Sequence, residues 1–151
     1  MMKAMLILLL LSGTLSVFHA EAEENLALNR KVSASSIQYL GVDAHWACDG
    51  KSRTRWASRF SDPQWLTVDL ASVKTVGRVV VIWETAAAKA YRIQLSLNGK
   101  DWTDASVKSD GSGGIEELKF APVQARFVRL YCEKRLTKAG YSVFEFEVYS
   151  E

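Results

Sequence analysis

Residues 91–103, YRIQLSLNGKDWT, place Tyr91, Ile93, Leu95 and Leu97 on one side of an extended chain and Arg92, Gln94 and Ser96 on the other. Apolar residues two positions apart mark a strand with one buried face, whereas a helix repeats them every three to four positions. Asn98-Gly99 follows, a pair suited to the two-residue turn of a β-hairpin, whose central positions take positive φ. The stretch reads as strand, turn, strand.

The same period extends outward in both directions. In QWLTVDL (64–70), Leu66, Val68 and Leu70 oppose Thr67 and Asp69. In RFVRLYC (126–132), Val128, Leu130 and Cys132 share one face. FEFEVY (144–149) sets Phe144, Phe146 and Val148 toward the core and Glu145 and Glu147 away from it. VGRVVVIW (76–83) is almost continuously apolar, as suits a strand covered on both faces. Ser109–Gly114 and Ala121-Pro122 break the chain between strands. No convincing amphipathic helix appears, and the alanine cluster at 86–90 is too short to nucleate one. About eight strands run from KVSASS (31–36) to EFEVYS (145–150). They predict an all-β fold, an eight-stranded antiparallel β-sandwich of jelly-roll type.

The chain has 151 residues, 48% hydrophobic and 24% charged, the composition of one globular domain. Its first 22 residues read differently. A charged start at Met1–Lys3, an apolar run from Leu6 to Val17 and the small residues of Ala20-Glu21-Ala22 form a signal peptide. The run is shorter than the roughly 20 apolar residues a spanning helix needs, and no cysteine follows it to be acylated. The mature domain is expected over residues 23–151, secreted or periplasmic, with no transmembrane segment. A net charge of +2 offers no electrostatic basis for binding nucleic acid.

Export changes how Cys48 and Cys132 are read. Cysteines of exported proteins tend to pair, and a Cys48–Cys132 disulfide is the expectation. Two inert core thiols are the alternative, since free cysteine is among the most buried residue types. No CxxC or Cys/His spacing supports zinc or thiol redox chemistry. Catalysis finds no support either: there is no GxSxG, no HExxH, and only two histidines, one of them in the leader.

The polar stretch ACDGKSRTRWASRFSDPQW (47–65) fits neither a helix nor a strand. Asp49-Gly50 alone is a plain turn. With the Thr54 hydroxyl it is also the start of a cation site, although Lys51 and Arg53 stand where an EF-hand needs oxygen ligands. Trp56 and Trp65 read as packing residues, and Trp102 packs by the Asn-Gly turn.

NLALNRKVSASS, ACDGKSRTRWAS, DPQWLTVDL, LSLNGKDW, ARFVRLY and GYSVFEFEVYS follow in an order that resembles a discoidin domain, the coagulation factor 5/8 type C fold. The bacterial versions are family 32 carbohydrate-binding modules. TRWAS, SDPQW and GYSVFEFEVY are similar to the modules appended to bacterial chitosanases and glucanases. The resemblance covers Asn25 to Glu151. It implies a galactose-binding-domain-like jelly roll with ligand loops at one end and a structural calcium ion. The implied calcium ligands are the carboxylates of Asp49 and Glu145 and the main-chain carbonyls of Trp46, Lys51, Thr54 and Phe144.

It also implies a ligand rim. Phe60 and Tyr141 are the expected aromatic contacts, Arg55 donates to hydroxyls or else pairs with a carboxylate, and Glu84 accepts hydroxyls or an amine. Gln38 and Tyr39 belong to a further rim loop, Ile37 to Trp46, in which His45 is a surface histidine or a donor. Gln38 stands where chitosan binders carry an acid, and Lys138-Ala139 where they carry Gln-Trp, which disfavours cationic chitosan. The function so implied is that of a non-catalytic, lectin-like protein for glycans. The alternative is an adhesion or anionic-phospholipid-binding protein, with Arg59-Phe60 and Lys134-Arg135-Leu136 imitating apolar spikes flanked by basic residues. Nothing in the residues names a protein partner.

Overall fold

The computed structural model describes residues 22–151, so the leader expected over residues 1–22 lies, Ala22 apart, outside the described residues. Alternation becomes seven strands: β1 (Lys31–Ala34), β2 (Trp56–Ala57), β3 (Gln64–Trp83), β4 (Ala88–Ser96), β5 (Thr103–Lys108), β6 (Ile115–Arg135) and β7 (Ser142–Tyr149). All pair antiparallel, in the order β2-β7-β3-β6-β4-β5, with β1 also on β3. A short 3-10 helix, Ala44–Cys48, precedes the Asp49-Gly50 turn.

Two strands are longer than their sequence segments. β3 unites QWLTVDL with VGRVVVIW, and β6 unites IEELKF with ARFVRLYC. Their shared register breaks between Asp69 and Lys74, where Ala71 takes φ 70°. On one side of the break, β3 lies between β1 and the end of β6, and β4 and β5 extend the layer. On the other side it lies between β7 and the start of β6. The sheet thus folds over itself into a sandwich. Counted by halves, and with two-residue β2 set aside, the segments number the expected eight.

The alternating residues face one core, which contains Leu66, Val68, Leu70, Ile93, Val128 and Leu130 from one layer and Val79, Val81, Phe146 and Val148 from the other. Full burial of each such side chain contributes about 1.5–3 kcal/mol. The end of the first hairpin strand departs from the reading: Leu97 is exposed.

The disulfide expectation is corrected. Cys48 and Cys132 are both free and buried. Cys132 sits in β6 opposite Gln64 and Tyr91, while the Cys48 thiol donates to the Phe146 carbonyl at 3.4 Å. Each is packed by its own neighbours, and burial pushes both thiols well up, away from the reactive thiolate. Trp65 and Trp102 lie outside the core cluster, partly covered, on either side of the Arg129 guanidinium, at 4.7 and 3.9 Å from their ring centres.

Candidate functional site

Chain segments 36–42, 57–62, 84–87 and 136–142 are laced together at the end of the sandwich where β7 begins. Ser58 N–H donates to the Tyr141 carbonyl at 2.8 Å, and Tyr141 N–H donates to the Ser58 hydroxyl at 2.9 Å. Gln38 N–H bonds the Ala57 carbonyl, Glu84 N–H the Ser142 carbonyl, and Ser142 N–H the Ala86 carbonyl, at 2.8, 2.9 and 2.7 Å. Gly140 lets these loops meet: a Cβ there would lie 2.7 Å from the main-chain oxygens of Ser58 and Arg59.

Two side-chain clusters hang on the first half of β7. The first gathers at Glu145. Asp49 closes its own loop, its Oδ1 accepting from Lys51 N–H at 2.9 Å and its Oδ2 from the Thr54 hydroxyl at 2.6 Å. Glu145 Oε1 takes a second bond from Lys51 N–H at 3.1 Å, while its Oε2 is buried with no partner. Burial, and then the neighbouring Asp49, push the Glu145 carboxyl up to about 8. Burial also acts to raise Asp49, but the Thr54 hydroxyl and Lys51 N–H outweigh it and hold Asp49 below the usual carboxylate range. The two carboxyls are thus pushed in opposite directions, and the Glu145 Oε2 has no hydrogen-bond partner.

The sequence reading set Phe144 toward the core, and this too is corrected, while Glu145 keeps the face opposite Phe146 and is covered there by the 49–54 loop. Glu145 is 5% exposed, whereas Phe144 is only partly covered and lies outside the core cluster. The cause is a bulge: β7 slips against β3 between Glu145 and Val143, and Phe144 has no register partner on β2 or β3. Trp46 lies in the 3-10 helix that leads into Asp49, and the Lys51 carbonyl accepts only a long 3.4 Å bond from Thr54. Among the described residues no three His, Cys, Asp or Glu side chains gather as a metal cage. The donors at this corner are carboxylate, hydroxyl and main-chain oxygen, with one buried oxygen unpartnered. That set suits a hard cation such as calcium.

The second cluster gathers at Ser142, a buried residue that the sequence did not single out. Arg55 donates through Nη1 to the Ser142 hydroxyl at 2.8 Å and through Nη2 to the Tyr39 hydroxyl at 3.0 Å. Glu84 stands nearby. Its burial acts to raise it, but the N–H groups of Ala86 and Thr85, the Thr85 hydroxyl and the Arg55 charge hold its carboxyl below the usual range. Tyr39, Arg55 and Glu84 are thus brought together, and Arg55 makes no ion pair within 4.0 Å among the described residues. Gln38 is exposed beside Tyr39. Phe60 is 54% exposed on the β2–β3 loop, as an aromatic contact requires, and Leu40 is 90% exposed. His45 is at the surface, its ring 4.1 Å from that of Trp46.

Tyr141 does not form the expected platform. It is fully buried, its hydroxyl donating to Asp62, which also pairs with Arg135 at 3.2 Å. Burial and the Asp62 hydrogen bond push the phenol far up, so it stays a donor. Its contribution is to brace the Phe60 loop from below. Neither Asp62 nor Ser142 carries a local pattern that marks it, because each acts on a residue far away in the chain.

A family model described as a NedA-like, galactose-binding domain matches residues 46–130. Among solved structures, chitosan-binding module 1 of a chitosanase/glucanase from Paenibacillus sp. IK-5 is 45% identical, with TM-score 0.81, covering 83% of this chain and 98% of that one. Module 2 of the same enzyme, solved with chitotriose, is 42% identical with TM-score 0.81, covering 83% and 99%. The polysaccharide lyase 8 family protein HylA of Enterococcus faecalis is 31% identical over 157 residues, which cover 91% of this chain and 11% of that protein. The chain spans about a tenth of that relative's length.

Proposed function

Since the chain belongs to the NedA-like galactose-binding domain family, we propose that it is an exported, non-catalytic carbohydrate-binding module, taking glycans on the rim and stabilised by a structural calcium ion. The observation that carries the reading is the placing of exposed Phe60 and the Tyr39–Arg55–Glu84 group at one open, loop-built end. An aromatic face covers the apolar side of a pyranose while fixed polar groups meet its hydroxyls. The chitotriose complex of a module 42% identical to this chain supports the same class of ligand. The calcium part is supported by the orphaned Glu145 Oε2 beside Asp49. In it Asp49, Glu145 and the carbonyls of Trp46, Lys51, Thr54 and Phe144 hold the ion, which ties the 49–54 loop to β7. Export is supported by the leader-like composition of the first 22 residues. Among the described residues, no helix is long and apolar enough to cross a membrane.

A glycan array probed with the protein in calcium, and again in chelator, tests the reading. Binding to a defined sugar family, competed by its monosaccharide, is the expected result; no binding to any glycan overturns it. Affinity of a single copy is expected between about micromolar and millimolar. The exposure of Leu40 and Phe60 beside Arg59 favours a second reading, attachment to an anionic lipid surface. Binding to phosphatidylserine vesicles that collapses at high salt, with no glycan bound, would establish that reading instead.

A further inference from the structure

Resting on the carbohydrate reading above, we propose that the rim selects an anionic saccharide, one carrying a carboxylate or a sulfate, and that Arg55, Arg59 and Lys138 receive its charge. Arginines 78, 92, 126 and 135 each meet a carboxylate within 4.0 Å, so their charge is answered inside the protein. Arg129 is enclosed between Trp65 and Trp102. Arg55 differs from all of them. Its fork is held by two neutral oxygens, the Ser142 and Tyr39 hydroxyls at 2.8 and 3.0 Å. A guanidinium has five N–H donors, and two neutral contacts, with Glu84 nearby but no carboxylate within 4.0 Å among the described residues, leave further donors for a planar anion. Holding the fork in place beforehand lowers the entropy lost when a carboxylate or sulfate arrives.

The surroundings lean the same way. Arg59 and Lys138 lie exposed on the two loops that touch at Gly140, and neither makes an ion pair among the described residues. The rim acids are already engaged: Asp62 takes the Tyr141 hydroxyl and Arg135, and Glu84 accepts the Ala86 N–H at 3.2 Å. Asp43, half-buried at the start of the 3-10 helix, and Glu84 make no ion pair within 4.0 Å among the described residues. A ligand ammonium entering beside Glu84 meets the Arg55 charge, whereas a sugar hydroxyl does not. The division of labour is then hydroxyls to Glu84, the ring face to Phe60 and the anion to Arg55 and its basic neighbours.

Calorimetric titration of the protein with matched neutral, amine-bearing, uronate-bearing and sulfated oligosaccharides, at about 50 and 300 mM salt, tests the proposal. A uronate or sulfated ligand is expected to bind about tenfold tighter than the neutral one, with the preference shrinking at high salt. Comparing those two ligands shows which anion is preferred. Lys138→Glu and Arg59→Ala are each expected to weaken the uronate and sulfated ligands more than the neutral one, so that the preference shrinks. Equal or tighter binding of the neutral or amine-bearing ligand overturns the anion proposal and leaves the carbohydrate reading standing. Failure to bind any saccharide, or binding only to anionic vesicles, overturns both.

Discussion

Ser142 and Glu145 stand three residues apart on β7, and each anchors a cluster of charged and hydroxyl groups, but the clusters are incomplete in opposite senses. At Glu145 two carboxyl groups crowd a buried corner and one oxygen has no partner. What is lacking there is positive charge, on the inside. At Ser142 the guanidinium of Arg55 is held by two neutral hydroxyls, with Glu84 nearby but no carboxylate within 4.0 Å among the described residues. A buried deficit has to be met for the fold to be at its most stable. An outward surplus costs the fold little and is available to a ligand. On the proposed function, one strand carries a structural corner and a recognition corner, told apart by which sign of charge each would take up.

Breaking the buried corner is expected to have the largest effect. If the proposed calcium ion binds only the folded state, calcium at about a hundred times its Kd is expected to stabilise the protein by roughly 2.7 kcal/mol. Asp49→Ala is expected to abolish that gain, as read from thermal melts with and without chelator. The pH dependence sharpens the point. With its carboxyl raised to about 8 from an ordinary 4.5, Glu145 contributes stability that is fully present below the lower value and lost as pH rises through the higher. In chelator, melting temperature is expected to fall between about pH 5 and 9, and Glu145→Gln to flatten that fall. A melting curve insensitive to pH in chelator would sink the assignment.

A smaller effect is expected at the brace between the corners. Tyr141→Phe removes a hydrogen bond to the Asp62 carboxylate and is expected to cost about 1.5 kcal/mol in denaturant unfolding, with sugar binding weakened only through the loop above. At the recognition corner, Arg55→Lys is expected to weaken glycan binding about tenfold, since a point charge cannot bond two hydroxyls in one plane, while stability moves by about 0.5 kcal/mol or less. Phe60→Ala is expected to weaken binding several-fold with no shift in melting temperature. The smallest effect is a null one. Reductant is expected to leave the melting temperature unchanged, and both thiols to react with a thiol reagent only after unfolding.

Most of the sandwich was legible because a strand's pattern is local. The faces of QWLTVDL and RFVRLYC follow from residues next to one another, whereas the Asn98-Gly99 turn is wider than the two residues expected: β4 ends at Ser96, β5 begins at Thr103, and of the pair only Gly99 takes positive φ, 75°. The continuity of β3 through Ala71 was not legible, because joining two halves across a bend depends on β6 bending beside them. FEFEVY misled at one position for a related reason: a bulge takes Phe144 off the core face, and strict alternation holds no sign of it. Within the rim, Arg55, Glu84 and Phe60 were singled out through likeness to known modules; the structure sets Arg55 near Glu84 and leaves Phe60 exposed. Tyr141 was misplaced, since the Asp62 contact that buries its hydroxyl spans 79 positions of chain.

Arg78 lies at the far end of β7 from Ser142. There it stacks on the Tyr149 ring at 4.0 Å, pairs with Glu23 and bonds the Glu151 carbonyl at 2.7 Å, while Glu151 N–H reaches Glu23 at 3.3 Å. Glu23 and Glu151 are therefore neighbours, and the eight residues of β7, about 26 Å of extended chain, separate them from the rim. Anything joined before Glu23 or after Glu151 hangs from the same point and leaves the loops free. Fused at either end to another domain, this one would stand as a headpiece with its rim turned away from the join.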